Sequence, residues 1–164
     1  TKTLWGEGKM TTTIIKTTTR LLAPLILVFG SYIILHGHLT PGGGFQGGAV
    51  FASGLILLIV ANVRDKVQKL FEKTPLTQLE SLGALGFLGI GLLGLMSYTF
   101  LKNAIANSGF LFGGTTPQGI NPGYLNTGGT LSYLNIFVGT KVLAGLTSIV
   151  LIFFLILRRE RDEW

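Results

Sequence analysis

The stretch Leu35-His36-Gly37-His38-Leu39-Thr40-Pro41-Gly42-Gly43-Gly44-Phe45-Gln46-Gly47-Gly48 decides how this chain is read. It lies inside an uncharged run from Leu21 to Val63, so glycine-loaded, irregular backbone falls where apolar sequence flanks it on both sides. Backbone N–H and C=O groups in hydrocarbon find no water to bond, and non-helical backbone survives there only where protein or a wet cavity covers it. The expectation is that companion polypeptides shelter this break.

Composition points the same way. The chain has 164 residues, of which 12% are charged, and a mean hydropathy of +0.57, far more apolar than a soluble domain of this length. The fold class expected is an all-α integral membrane protein with four transmembrane helices and a glycine-rich broken segment between the first two. The absence of cysteine excludes a disulfide framework, thiolate-bound zinc and iron–sulfur clusters in this chain. The net charge of +6 does not imply nucleic acid, because the basic residues flank apolar segments. A cleaved signal peptide would also explain Lys16 to Leu35. No small-x-small cleavage site follows it and further apolar segments do, so it is read as a permanent span.

A span needs roughly 20 apolar residues to cross about 30 Å of hydrocarbon. Four segments qualify, near 14–36, 47–62, 78–101 and 134–157, within a single domain covering 1–164; the first two are a little short if counted strictly, which puts the glycine segment between them within or close to the outer interface. Pro24 falls early in the first, where a missing N–H is tolerated. Thr77-Gln78-Leu79-Glu80 fits a capping box before the third, which assigns Glu80 to helix initiation. The segment 103–133, rich in Gly, Pro, Asn and Thr, reads as a long ordered loop or re-entrant excursion. Arg158 to Trp164 reads as a solvated tail. Lys2, Lys9, Lys16, Arg20, Arg64, Lys66, Lys69, Lys73, Arg158, Arg159 and Arg161 fall on one side of these spans and Lys102 on the other. The positive-inside rule then puts both termini in the cytoplasm of a prokaryotic cell, in a multi-pass plasma-membrane protein.

Gly83, Gly86, Gly91 and Gly94 share one broad face of the third span, as suits close helix packing. Lys141 is the most informative side chain. It lies about seven residues, roughly 10 Å, into the fourth expected span, where ionisable groups are rare and usually functional. It shares a stripe with Gly145 and Ser148, opposite Leu143, Leu146, Val150, Phe153 and Phe154. Three readings stay open for it: ion or proton movement, a buried pair with a partner subunit, and snorkelling to the headgroups. His36 and His38 suit a proton relay, or simply partner the unpaired carbonyls of a helix end. The glycines either expose backbone to an ion, as broken helices do in transporters, or permit a tight turn. Nothing resembles a nucleophile with its base, a phosphate loop or a metal cluster, so no catalytic centre and no cofactor is expected.

The run His38-Leu39-Thr40-Pro41-Gly42-Gly43-Gly44-Phe45-Gln46-Gly47-Gly48-Ala49-Val50, between two spans of a small basic-inside protein, closely resembles the hallmark of the B subunit (MnhB/MrpB family) of Mrp-type multisubunit Na⁺/H⁺ antiporters. The resemblance covers roughly residues 12 to 157. The segment Asn135 to Leu146 looks more like the forms found in archaeal membrane-bound hydrogenase and related sulfur-reducing complexes. The resemblance implies a non-catalytic subunit that helps form a sodium path beside other membrane subunits, within such a respiratory complex or a stand-alone antiporter. Pro41, Gly42, Gly43, Gly44, Phe45, Gln46, Gly47 and Gly48 match the family's motif.

Two functional readings follow. In the first, this chain helps form a Na⁺ or H⁺ path near Lys141, His36 and the break. Sodium needs oxygen ligands, and the chain offers main-chain carbonyls, Thr40, Gln46 and Ser31, with any intramembrane carboxylate expected from a partner. In the second, it only seals and positions the module. A self-assembling channel is a third, remoter reading.

Overall fold

The computed structural model describes residues 13–61, 76–116, 118 and 123–162. Among them are four long helices: α1 (Thr13–Leu35), α2 (Gly43–Ala61), α3 (Leu76–Leu93) and α4 (Thr130–Asp162). Each carries an apolar stretch long enough to cross a membrane, over Thr13–Leu35, Gly43–Ala61, Leu76–Met96 and Thr130–Phe154. No strand occurs among the described residues. Lys2, Lys9, Arg64, Lys66, Lys69, Lys73, Glu163 and Trp164, on which part of the charge pattern rests, lie outside them.

The helices pack in the order α1, α2, α4, α3. α1 and α2 form an antiparallel hairpin. α2 and α4 run the same way, since Gly44 meets Asn135 and Gly48 meets Gly139. α3 runs against α4, since Gly83 meets Lys141 and Gly86 meets Phe137. The buried apolar side chains are few and mostly small, Ala23, Ala52, Ile59, Ala61, Leu76 and Ala144, while Val28, Phe29, Leu85, Ile149 and Phe153 point outward. Hydrocarbon solvates such side chains as well as a protein core does, so packing selects small residues that let backbones approach. A Cβ on Gly30 would stand 2.8 Å from Phe51 N, and one on Gly48 2.7 Å from Gly139 O, closer than carbon can sit to backbone.

Helix boundaries differ from the sequence expectation for physical reasons. α2 begins at Gly43, not near 47: Gln46 N bonds Gly42 O at 3.3 Å and the glycines pack too closely to be loop. The break thus shrinks to residues 36–42. α3 gives way after Leu93 to a 3₁₀ turn, Gly94–Ser97, ended by Tyr98 in the left-handed region at φ 64°, well before 101. α4 starts at Thr130, four residues earlier than expected, because a distant side chain caps it. Asn103 Oδ1 accepts from Thr130 N at 2.8 Å and from Thr130 Oγ1 at 2.9 Å, and Asn103 Nδ2 donates to Gly128 O at 3.3 Å. This remote Asn fills the role a local N-cap residue fills elsewhere. At its other end α4 stays helical through Asp162, where a tail was expected. Its 33 residues extend about 50 Å at 1.5 Å per residue, more than the hydrocarbon needs. The described part of the loop before α4 is ordered non-helical chain apart from the turn Leu125–Thr127. It folds onto α4 through Tyr133 Oη, which donates to Leu111 O at 2.9 Å, and through an edge-on Phe112–Tyr133 contact at 5.3 Å.

Candidate functional site

The break closes on itself. His36 N donates to Tyr32 O at 2.9 Å, Gly37 N to Ile34 O at 3.3 Å, and Leu39 N and Thr40 N to His36 O at 2.8 and 3.2 Å; Thr40 Oγ1 also reaches His36 O, at 3.2 Å. Gly42 and Gly43 supply the positive φ, 101° and 46°, that a side chain would resist. Across the interface, Asn135 of α4 fills the inside of the turn. Its Oδ1 accepts from Gly44 N at 3.3 Å, and a Cβ on Gly37 would stand 2.7 Å from its Nδ2. Asn135 of α4 thus backs the inner side of the turn at Gly37 and Gly43, while His36 to Leu39 stay half-buried and Thr40, Pro41 and Gly42 exposed, so this chain by itself shelters the break only in part. The packing reading of the glycines gains from the close approach of Gly44 and Gly48 to the main chain of α4.

The glycine motif splits by helical face. Gly43, Gly44, Gly47 and Gly48 are buried against α1 and α4, whereas Pro41, Phe45 and Gln46 are exposed, Phe45 by 63%. Gln46 folds over Gly42, where any Cβ would overlap its amide.

The two histidines have different surroundings. His36 stacks on Tyr32 with ring centroids 3.8 Å apart, and its Nδ1 meets Tyr32 O at 3.1 Å. A carbonyl only accepts, so this bond assigns the proton to Nδ1. His38 instead reaches α4: its Nδ1 lies 3.2 Å from the Oγ of buried Ser132, while its Nε2 is buried without a hydrogen-bond partner.

Lys141 stands apart from both. It falls nine residues beyond Ser132, about 14 Å along α4, so the structure does not join it to the histidines. With α4 starting at Thr130 it lies about 16 Å into the helix, near the middle of the Thr130–Phe154 span and deeper than the sequence suggested. A Cβ on Gly83 would stand 2.9 Å from Lys141 Cβ, so the side chain starts from the contact with α3; the residue is exposed on this chain.

Glu80 is the residue that sequence reasoning misassigned. Thr77 is already helical, and its carbonyl accepts from Ser81 Oγ at 2.8 Å, so it is not the cap of α3. The Glu80 carboxylate does not turn back to Thr77. It lies over the main chain of α4, where a Cβ on Gly145 would stand 3.7 Å from Oε1 and 4.0 Å from Oε2. The chain thus carries a carboxylate of its own within the apolar stretch Leu76–Met96, four residues from its start. Asn135, Asn103 and Ser132 were missed altogether, because their partners lie far away in sequence. Among the described residues, no three His, Asp or Glu side chains converge as a metal site would require.

Comparison with known proteins places this geometry in context. Residues 14–148 match the family model described as a domain related to the MnhB subunit of Na⁺/H⁺ antiporter. An uncharacterized protein of Methanocaldococcus jannaschii is 38% identical over 145 residues, 88% of this chain and 52% of that protein. The B subunit of the Bacillus subtilis Na⁺/H⁺ antiporter is 37% identical over 95 residues, 58% of this chain and 64% of that one. Among solved structures, a chain of the membrane-bound sulfane sulfur reductase, an archaeal respiratory membrane complex, superposes with a TM-score of 0.66 and 31% identity, over 85% of this chain and 56% of that one. The chain thus spans between about half and two thirds of the length of these relatives.

Proposed function

The chain belongs to the family of domains related to the MnhB subunit of Na⁺/H⁺ antiporters, and on that premise we propose that it helps form the cation path of a multisubunit antiporter module as a non-catalytic membrane subunit. The observation that carries this reading is the place of Lys141, an ionisable side chain near the middle of an apolar span, where a charge is costly and is kept mainly for function. Na⁺ is the cation proposed, with H⁺ moving against it. The proposed partners are other membrane subunits of such a module, joined to redox subunits as in a respiratory membrane complex; likeness to the sulfane sulfur reductase chain supports that setting. Both termini in the cytoplasm, with the break and the loop before α4 facing outward, completes the proposal on the positive-inside rule.

The close fit of Gly44 and Gly48 against the main chain of α4 favours a second reading, in which this chain seals and positions the module without meeting the ion. The two separate in inverted vesicles from cells carrying the complete complex. Lys141→Ala and His36→Gln are assayed for Na⁺-dependent proton movement, and assembly is followed on native gels. Lost transport with intact assembly supports the path; loss only through disassembly supports the seal.

A further inference from the structure

Among the described residues, one ionisable side chain on α3, Glu80, and one within the apolar part of α4, Lys141, meet the interface between these helices. Glu80 is half-buried and faces Gly145, which lies fifteen residues beyond Thr130 and nine before Phe154, well inside the apolar span. Lys141 is one turn away on the same stripe of α4, packed on Gly83, itself one turn from Glu80. Each charged residue therefore sits opposite a glycine of the other helix, the Glu80 carboxylate beside Gly145 and the Lys141 Cβ beside Gly83. The Oγ of Ser148, three residues past Gly145, is buried without a partner; a hydroxyl both donates and accepts. No ion pair joins Glu80 to Lys141 in this arrangement. The helices packed on α4 add no competing group: α2 carries no ionisable side chain, and Lys16 and Arg20 of α1 are exposed at the end opposite Ile34, by which α1 touches Gly139.

We propose that Glu80 and Lys141 form a proton-exchanging pair between α3 and α4, so that this subunit itself carries protons within the module. The role rests on the ion-path reading above. In the exchange a proton leaves the Glu80 carboxyl oxygen and binds the lone pair of Lys141 Nζ, leaving carboxylate and ammonium; the reverse step restores acid and amine. The pair as a whole is uncharged in both states, which avoids the heavy penalty hydrocarbon puts on a lone charge. The exposed Lys141 gives the pair its outlet toward a neighbouring subunit, and a helix-initiating or purely structural glutamate would need neither the glycine opposite it nor a lysine one turn away.

The test uses the intact complex in inverted vesicles. Proton movement is followed with a pH-sensitive dye after Na⁺ addition, for Glu80→Gln, Glu80→Asp, Lys141→Ala and the double variant Glu80→Gln/Lys141→Ala. Each of Glu80→Gln and Lys141→Ala should slow transport about a hundredfold with the complex assembled, the lower range for a positioned proton-transfer group. The double variant should be no slower than either single, because residues acting as a unit are not additive. Glu80→Asp should keep measurable transport with an altered pH profile. In infrared spectra of the complex, a protonated-carboxyl C=O band should appear on acidification and be absent from Glu80→Gln. Wild-type rates in Glu80→Gln, multiplied losses in the double variant, or no Glu80-dependent carboxyl band would each overturn the pair. Loss of assembly in both Glu80 variants would make the residue structural and overturn it too. If removing the whole subunit leaves transport unchanged, the ion-path reading falls first; if only the Glu80 variants are silent, the pair alone falls.

Discussion

Replacing Gly44 by alanine puts a methyl group where α2 rests on α4. That methyl would overlap the carbonyl oxygen of Asn135 and stand 2.9 Å from its carbonyl carbon and its Cα. Both are backbone atoms of a long helix, so no rotamer relieves the clash. Carbon atoms at rest sit about 3.5 to 4.0 Å apart, so the helices must part by roughly 0.6 Å or more, with a loss of dispersion along the contact. Overpacking of this kind costs about 1–3 kcal/mol. The parting also strains the 3.3 Å bond from Gly44 N to Asn135 Oδ1, a bond worth about 0.6 kcal/mol by the average measured between membrane helices. Together the change should cost about 2–3 kcal/mol. Gly89→Ala is the internal control: a Cβ there meets nothing within 4 Å, and alanine favours an exposed helix interior by about 0.5–1 kcal/mol. Unfolding of the purified chain by sodium dodecyl sulfate in bicelles, followed by circular dichroism, would rank Gly44→Ala well below wild type and Gly89→Ala at or above it. Equal stabilities for the two variants would refute close backbone contact between α2 and α4 at Gly44.

Gly83→Ala should weaken the α3–α4 contact by about 1–3 kcal/mol, since its Cβ would stand 2.8 Å from Phe137 O and 2.9 Å from Lys141 N; Gly145→Ala, whose Cβ finds 3.7 Å to the Glu80 carboxylate, should leave the same unfolding midpoint almost unmoved. Asn135→Leu leaves Gly44 N without its acceptor and should cost about 1 kcal/mol or more, because an unpaired amide is penalised beyond the bond itself; thermal unfolding in detergent reads it. Asn103→Ala removes the acceptor at the first residue of α4 and should cost about 1 kcal/mol, with amide exchange accelerating first at Thr130 and Leu131. Ser132→Ala should change the environment of the His38 ring, read by its nuclear magnetic resonance shifts, and leave the His36 ring untouched, since only His38 reaches Ser132.

Four apolar helices and the family motif were legible in the residues, because each depends on local composition. Solvation by hydrocarbon is a property of the segment itself, and twenty apolar residues in a row declare it wherever they later pack. The glycine face of α3 was legible too, though only in part. Gly83 and Gly86 meet α4, whereas Gly91 and Gly94 serve the turn that follows, where Phe100 and the backbone from Thr99 to Lys102 fold against them. The wheel could show that these residues share a side; it could not show what lies beyond.

The direction of the Glu80 carboxylate was misread for a related reason. Thr-x-x-Glu ahead of an apolar run is a capping signal in water, and nothing local reveals that Thr77 is already within the helix and that the carboxylate faces another helix. The depth of Lys141 moved because Asn103 caps Thr130 from 27 residues away, and the start of α2 after the break is held by Asn135, 91 residues from Gly44. Sequence by itself determined that the chain lives in hydrocarbon, how many times it can cross, and where its backbone must bend. Tertiary structure alone decided which helices are neighbours and therefore which polar groups meet. In a membrane, apolar surface gives no preference among partners, so that choice is left to the fit of glycine against backbone and to a few hydrogen bonds between residues far apart in the chain.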